Sequence, residues 1–322
     1  MTVLLEKESL AVTSLSPALH RLSPKTWAWV HERTGWGWSN CGLVVSEGAA
    51  LLVDTQFTLD ATRELIDAIA RAFPGVPVGT IVNTHQNGDH TWGNQLFPAA
   101  EVVTSAASAE HLCLEMGPEQ LSVLSRSGEK SSVPAYVSKH FGCFDFAGIE
   151  VAGPSRTFSG REEVKVGSVA VELIDLGPGH SAGDVAVHVL EEGVVFAGDA
   201  LFAGMHMVVW SGSLKACVRA CDTILDTGAG VFVPGHGPVL DRAGVTAIRD
   251  QLVRVGESAS GYAAAGVPVM EAARRVFAEH AGDLLHPERL FTATAAAYRD
   301  AGVAEAPVGT MALVEGMAAL AG

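Results

Sequence analysis

Alternation of apolar and polar positions becomes regular at Trp27. The runs TWAWVHE, CGLVVSE and AALLVD follow one another, separated by Gly35-Trp36-Gly37 and by Glu47-Gly48. Short apolar runs bounded by turn residues predict strands, here an antiparallel meander. After Asp54 the period changes. Leu65, Ile66, Ile69 and Phe73 recur at helical spacing in TLDATRELIDAIARAF, with Thr58 or Asp60 placed to cap the start and Pro74-Gly75 to stop it. A short apolar strand, Thr80 to Asn83, then leads into THQNGDH.

The second half repeats this scheme. VAVELID (169–175), VAVHVL (185–190) and VVFAG (194–198) read as strands, the last ending at Asp199. Leu214, Cys217, Val218, Cys221, Ile224 and Leu225 share one face of a helix, and VFV (231–233) is a strand running into PGHG. Each half reads strand–Asp, helix, strand–His: Asp54 with His85, then Asp199 with His236. This duplication is one of topology rather than of sequence. Two such halves packed sheet on sheet, with helices outside, predict an α/β fold, a four-layer αββα sandwich.

Around that core, residues 1–26 are expected to form an arm or first edge, and 27–242 the main domain. Residues 104–163 break the pattern. They carry Tyr136, Phe141, Phe144, Phe146 and Phe158 and read as helices plus a long insertion placed to cover a pocket. Residues 243–322 read as an alanine-rich helical extension packed on the same domain, with helices at 243–259 and 268–280 and a last one at 288–300. Packing or a homodimer contact is its expected role.

Composition narrows the function. With 48% hydrophobic and 18% charged residues, disorder is excluded for most of the chain. No apolar run reaches the length of a membrane-spanning helix. The start, MTVLLEKESLAV, is acidic early and lacks a basic segment before an apolar one, so a cytoplasmic protein is expected. The formal charge of −15, without any basic cluster, argues against nucleic acid as a partner and for a small-molecule substrate. The cysteines Cys41, Cys113, Cys143, Cys217 and Cys221 are odd in number and never spaced C-x-x-C. They read as free thiols in a reducing compartment, with Cys217 and Cys221 on a core face.

The histidines matter by placement. His85, Asn87, Asp89 and His90 fall together just after a strand. His180 sits in GPGHSAGD, Asp199 ends a strand, and His236 sits in VPGHG. Loops at strand ends converge on one edge of the sheets, where ligands commonly bind. Imidazoles and carboxylates together suit divalent cations such as zinc, and a carboxylate in Asp199's place can bridge two of them.

HQNGDH, GPGHSAGD, FAGDALF and VPGHG, in this order, resemble the motifs of the metallo-β-lactamase superfamily. The resemblance covers about residues 27–240. It implies one metal site from His85, position 87 and His180, a second from Asp89, His90 and His236, and Asp199 between them. It also implies a metal-bound hydroxide attacking an ester, thioester, lactone or amide carbonyl, with Asp89 orienting it as the catalytic carboxylate. The sequence departs from the family at Asn87, where histidine is usual. An amide oxygen is a harder and weaker zinc donor than imidazole. Three outcomes stay open: two Zn2+ with the Asn87 oxygen as a ligand, one Zn2+ at Asp89, His90 and His236, or iron or manganese at the altered site. Iron would fit an alternative activity, a non-haem iron oxidoreductase on the same scaffold. A binding protein with a decayed site is a third reading, disfavoured by the six intact ligands.

Other candidates carry less. His188 alternates with Ala186 and Leu190 as a sheet histidine. His206 reads as a loop histidine, with a pocket contact as its alternative. Trp92 is expected to pack under the metal loop, Asp184 to orient an imidazole, and Asp54 to hydrogen-bond the metal loop from below. His20, His31, His111, His140, His280 and His286 belong to no pattern.

Overall fold

The computed structural model describes residues 18–31, 35–114, 116–127 and 132–322; residues 1–17 of the expected arm lie outside them. The first sheet starts with β1 (Ala18–Ser23), β2 (Thr26–Val30), β3 (Cys41–Ser46) and β4 (Ala49–Val53), each antiparallel to the next. Helix α1 (Leu59–Ala72) crosses over to β5 (Val78–Val82), which runs parallel to β4. Of the two cap candidates Thr58 does the work: its side chain accepts from Ala61 N, while Leu65 and Ile69 are buried against the sheet. The short helix α2 (Gly88–Thr91) precedes β6 (Glu101–Ser105). Helices α3 (Ala106–His111), α4 (Pro118–Ser125) and α5 (Ser132–Phe141) come next, then β7 (Arg156–Phe158), which closes the seven-stranded order β1-β2-β3-β4-β5-β6-β7.

The second sheet holds β8 (Arg161–Val166), β9 (Val169–Gly177), β10 (Asp184–Val189), β11 (Val194–Phe202) and, after helix α6 (Leu214–Asp226), β12 (Val231–His236). Its order is β12-β11-β10-β9-β8, with only the β11–β12 pair parallel. The tail adds α7 (Arg242–Ala264), α8 (Val269–His280), α9 (Leu290–Asp300) and α10 (Thr310–Ala321).

Alternating side chains build the layers. Val44, Leu51, Val53, Val82 and Val103 of the first sheet meet Val171, Leu173, Val185, Val187 and Phe196 of the second in a buried core. The outer face of the second sheet is covered by α6, α7 and α9, whose Cys221, Ile224, Leu252 and Ala293 join Val195 and Phe232 in one cluster. Cys217 and Cys221 are buried there as free thiols, as a core face requires. The αββα sandwich is therefore present, and α7 and α9 share its core.

Three expectations need correction. Residues 104–163 are not wholly an insertion. β6 and β7 extend the first sheet and β8 begins the second, so the covering part is α3 to α5 and the segment after them. The helix at 288–300 is not the last, because α10 follows it and buries Leu313 and Met317 against Phe291 and Tyr136. Strand β11 does not end at Asp199 but runs to Phe202, with its register broken at Gly198. Gly198 has φ of +50° and sits so close to Thr84 that a Cβ would lie 2.4 Å from Thr84 Oγ1. Such a bulge re-aims the next side chain, here Asp199.

Candidate metal centre

Four places on the two sheets deliver the site. β5 ends one residue before Asn83, and the following turn presents His85, Asn87, Asp89 and His90. His180 comes from the turn between β9 and β10, Asp199 from the β11 bulge, and His236 from the last position of β12. His85, His90, His180, Asp199 and His236 are all buried, while Asp89 is slightly open. The β12 turn needs a glycine before the histidine: a Cβ on Gly235 would lie 1.9 Å from Asp199 Oδ1.

Each imidazole is held by its Nδ1 and turns its Nε2 to the centre. His180 Nδ1 is 2.8 Å from Val208 O and His236 Nδ1 is 3.0 Å from Trp38 O, so both donate to carbonyls. His90 Nδ1 lies 2.8 Å from Asp54 Oδ2. His85 Nδ1 lies 3.1 Å from Thr84 Oγ1, whose own hydrogen goes to Asp54 Oδ2 at 2.7 Å, which leaves the hydroxyl to accept. Asp54 also accepts from Thr84 N at 2.7 Å, so it fastens the loop from below as expected. With Nδ1 donating, a neutral ring offers its Nε2 lone pair, the state a metal requires.

Asp199 faces both ways. Its Oδ1 lies 3.2 Å from His90 Nε2 and 3.4 Å from His236 Nε2, and its Oδ2 lies 3.4 Å from His180 Nε2 and 3.9 Å from His85 Nε2. Asp89 Oδ2 is 3.3 Å from His236 Nε2 and 3.8 Å from His90 Nε2. Asn87 caps α2 by position, yet its side chain makes no capping bond. Its Oδ1 sits 3.0 Å from His85 Nε2 and 2.9 Å from His180 Nε2. An amide can serve those two nitrogens in two ways. Its oxygen can share a cation with them, or, turned over, its NH2 can donate one hydrogen to each.

The donors fit a divalent cation. His90 Nε2 and Asp199 Oδ1 are buried with no hydrogen-bond partner, and two groups of ligand atoms, His85–His90–Asp199 and Asp89–His90–His236, are each close enough to share an ion. Orphaned buried polar atoms are costly, and a cation between them removes that cost. The protonation of the chain alone points the same way. Burial pushes His90 and His236 down, but Asp199 and Asp89 outweigh it, lifting His90 well above the usual histidine value and His236 to about 9. Burial would raise Asp89, yet His90 and His236 hold it at about 2; the same histidines, with His180, keep Asp199 well below the carboxylate range. Burial and His90 press His85 well below its ordinary value. A proton at the second group thus stands where a cation would, and metal uptake would release it.

All seven expected ligands are brought together. Trp92, expected beneath the metal loop, instead lines the cavity among the cover aromatics, stacked on Phe57 at 5.0 Å, and Gly88 leaves it room: a Cβ there would lie 2.3 Å from the Trp92 ring. Three other residues do not reach the centre. Asp184 touches no imidazole; it binds Ser181 through N (3.0 Å) and Oγ (2.6 Å) and shapes the His180 turn. His206 faces away, with Nε2 2.9 Å from Ala281 O. His188 lies in β10 near Glu172.

This ligand arrangement, on two sheets in this order, settles the family, because residues 34–236 match the model of the metallo-β-lactamase superfamily. The chain belongs to that superfamily. Among curated relatives, the α subunit of 2,4-dinitroanisole O-demethylase from Nocardioides sp. (strain JS1661) is 26% identical over 60% of this chain and 51% of its own length. An acyl-coenzyme A thioesterase from Gallus gallus is 26% identical over 65% of this chain and 76% of its own. The chain thus spans only about half of the first of these. A metallo-β-lactamase structure from Pontibacter korlensis superposes with a TM-score of 0.56 at 21% identity, covering 74% of this chain and 99% of that one.

A cavity of about 130 Å³ opens over the centre. On this measure one water needs about 10–15 Å³, so a larger molecule fits. Asn87, Asp89, His180, Asp199 and His236 line its floor; Trp36, Phe57, Leu124, Phe141, Trp210 and Met311 line its walls. Sequence reasoning expected the α4–α5 cover but missed the walls from α10 and the buried Arg289. The place of Arg289 after Pro287-Glu288, directly ahead of the apolar stretch LFTATAAAY, was the available signal.

Proposed function

We propose that the protein is a metal-dependent hydrolase acting on an ester or thioester carbonyl of a small, largely apolar molecule. The observation that carries this reading is the set of Nε2 atoms of His85, His90, His180 and His236, each locked through Nδ1 and turned toward Asp199. A bound divalent cation, zinc in this reading, supplies a Lewis acid and lowers the pKa of a bound water. The similarity to an acyl-coenzyme A thioesterase and the apolar walls support the choice of acyl substrates.

The residues divide the work. Asp89, His90 and His236, with Asp199, would hold the tighter cation, because they combine two carboxylates with two imidazoles. His85 and His180, with Asp199, would hold a weaker one, because Asn87 offers a neutral amide in place of imidazole. Asp89 orients the attacking water, and the aromatic walls keep bulk solvent from the reacting carbonyl. Matched esters, thioesters and lactones, assayed with metal bound, removed and restored, test the reading. Turnover that follows the metal supports it, and turnover indifferent to the metal refutes it.

A further inference from the structure

Arg289 is the feature of this cavity that metal chemistry leaves unexplained. It ends the 3-10 turn Pro287–Arg289 ahead of α9 and is only 1% exposed, yet it lines the cavity that holds Asp199 and His236. Its guanidinium carbon lies 4.1 Å from the centre of the Trp36 ring and 5.4 Å from that of Phe202, which itself stacks on His236 at 5.2 Å. Nη1 donates to His206 O at 3.2 Å, and Nε is buried with no partner.

No carboxylate pairs with this charge directly, although Glu288, Asp199 and Asp89 act on it from further away. Among the described residues no Asp or Glu lies within ion-pair distance of Arg289. Its neighbour Glu288 accepts instead from Tyr136 Oη at 3.0 Å and lies 3.4 Å from His286 Nδ1. Asp89 and Asp199 are turned to the imidazoles. Burial lowers the guanidinium only to about 10, so it stays a cation at neutral pH. A buried charge without a directly paired counterion is expensive, and an oxyanion bound in the cavity would offset that cost.

We infer that Arg289 is the anchor for one oxyanion, a carboxylate or a sulfate, carried by the apolar substrate. This rests on the hydrolase reading and narrows its substrate class to amphiphilic anions. The planar fork of arginine suits both oxyanions, and its Nε has no hydrogen-bond partner in the protein. Phe57, Trp92, Leu121, Val137 and Val314 surround the remaining space and fit an alkyl or aryl body. The anion beside Phe202 and His236 fixes which end of the substrate approaches the metal ligands.

The test is equilibrium binding to the metal-loaded protein, read by tryptophan fluorescence, with octanoate, octyl sulfate and 1-octanol as probes. Charge-assisted hydrogen bonds predict that at least one anion binds about ten-fold or more tighter than octanol. Comparing the two anions distinguishes carboxylate from sulfate. Arg289→Met should erase the preference, and Arg289→Lys should retain part of it. Equal binding of octanol and both anions overturns the inference on the wild-type protein alone. An anion preference that survives in Arg289→Met also overturns it, since the metal would then hold the anion. Either result leaves metal-dependent hydrolysis of uncharged esters standing, so the two readings fail separately.

Discussion

Asp54 Oδ2 lies 2.8 Å from His90 Nδ1, and Asp54 holds that contact from a backbone with φ of +62°. A non-glycine residue in the left-handed region is uncommon, and aspartate tolerates it better than most. The same carboxylate accepts from Thr84 N and Thr84 Oγ1, so it couples two histidines of opposite half-sites. Asp54→Asn keeps the size and the backbone preference but removes the charge that makes His90 a better donor. Losing such a partner typically costs about 10–100-fold in metal affinity. Chelator competition should show that loss, with the far-ultraviolet circular dichroism unchanged.

Asn87 separates the half-sites. Asp89→Ala should abolish turnover, because it removes a ligand of the tighter site and the carboxylate that orients water. Asn87→Ala should cost much less. Asn87→His restores an imidazole between His85 and His180 and should raise the zinc bound per chain, read by elemental analysis. Equal loss of activity in all three variants would sink the assignment.

His140 predicts an acid-sensitive cover. It packs on Tyr136 at 4.4 Å and on Trp36 at 6.0 Å. Burial drives its pKa down to about 4; Glu288 opposes this, and His286, Lys139 and Arg289 add to it. The folded value lies below the unfolded one of about 6.5. The unfolded chain therefore binds the proton first, and stability is full above pH 6.5 and falls toward pH 4. His140→Gln cannot take the proton, so its denaturation midpoint should fall less steeply across that window.

Most of the metal centre is legible in the sequence. Its ligands sit where an apolar strand gives way to small polar residues, and that transition is local. The second sheet and α6 are legible for the same reason: VAVELID alternates, and Leu214 to Leu225 repeats at helical spacing. Elements with weak patterning are not. The sequences of β6, EVVTS, and β8, REEVKV, carry charges at sheet positions, and α10, TMALVEGMAALA, is apolar nearly all round. Such runs show their place only when the partner strands and helices are known. Arg289 is hidden more deeply, because what gives it meaning, Trp36 and Phe202, lies far away in the chain.

The most direct test of a metal-dependent hydrolase is metal content and thioester turnover measured together on one preparation, before chelation, after it, and after zinc is restored. The account predicts about one to two zinc ions per chain, with turnover lost on chelation and recovered on reloading. Undiminished turnover by metal-free protein would contradict it, as would iron in place of zinc with oxygen uptake instead of hydrolysis.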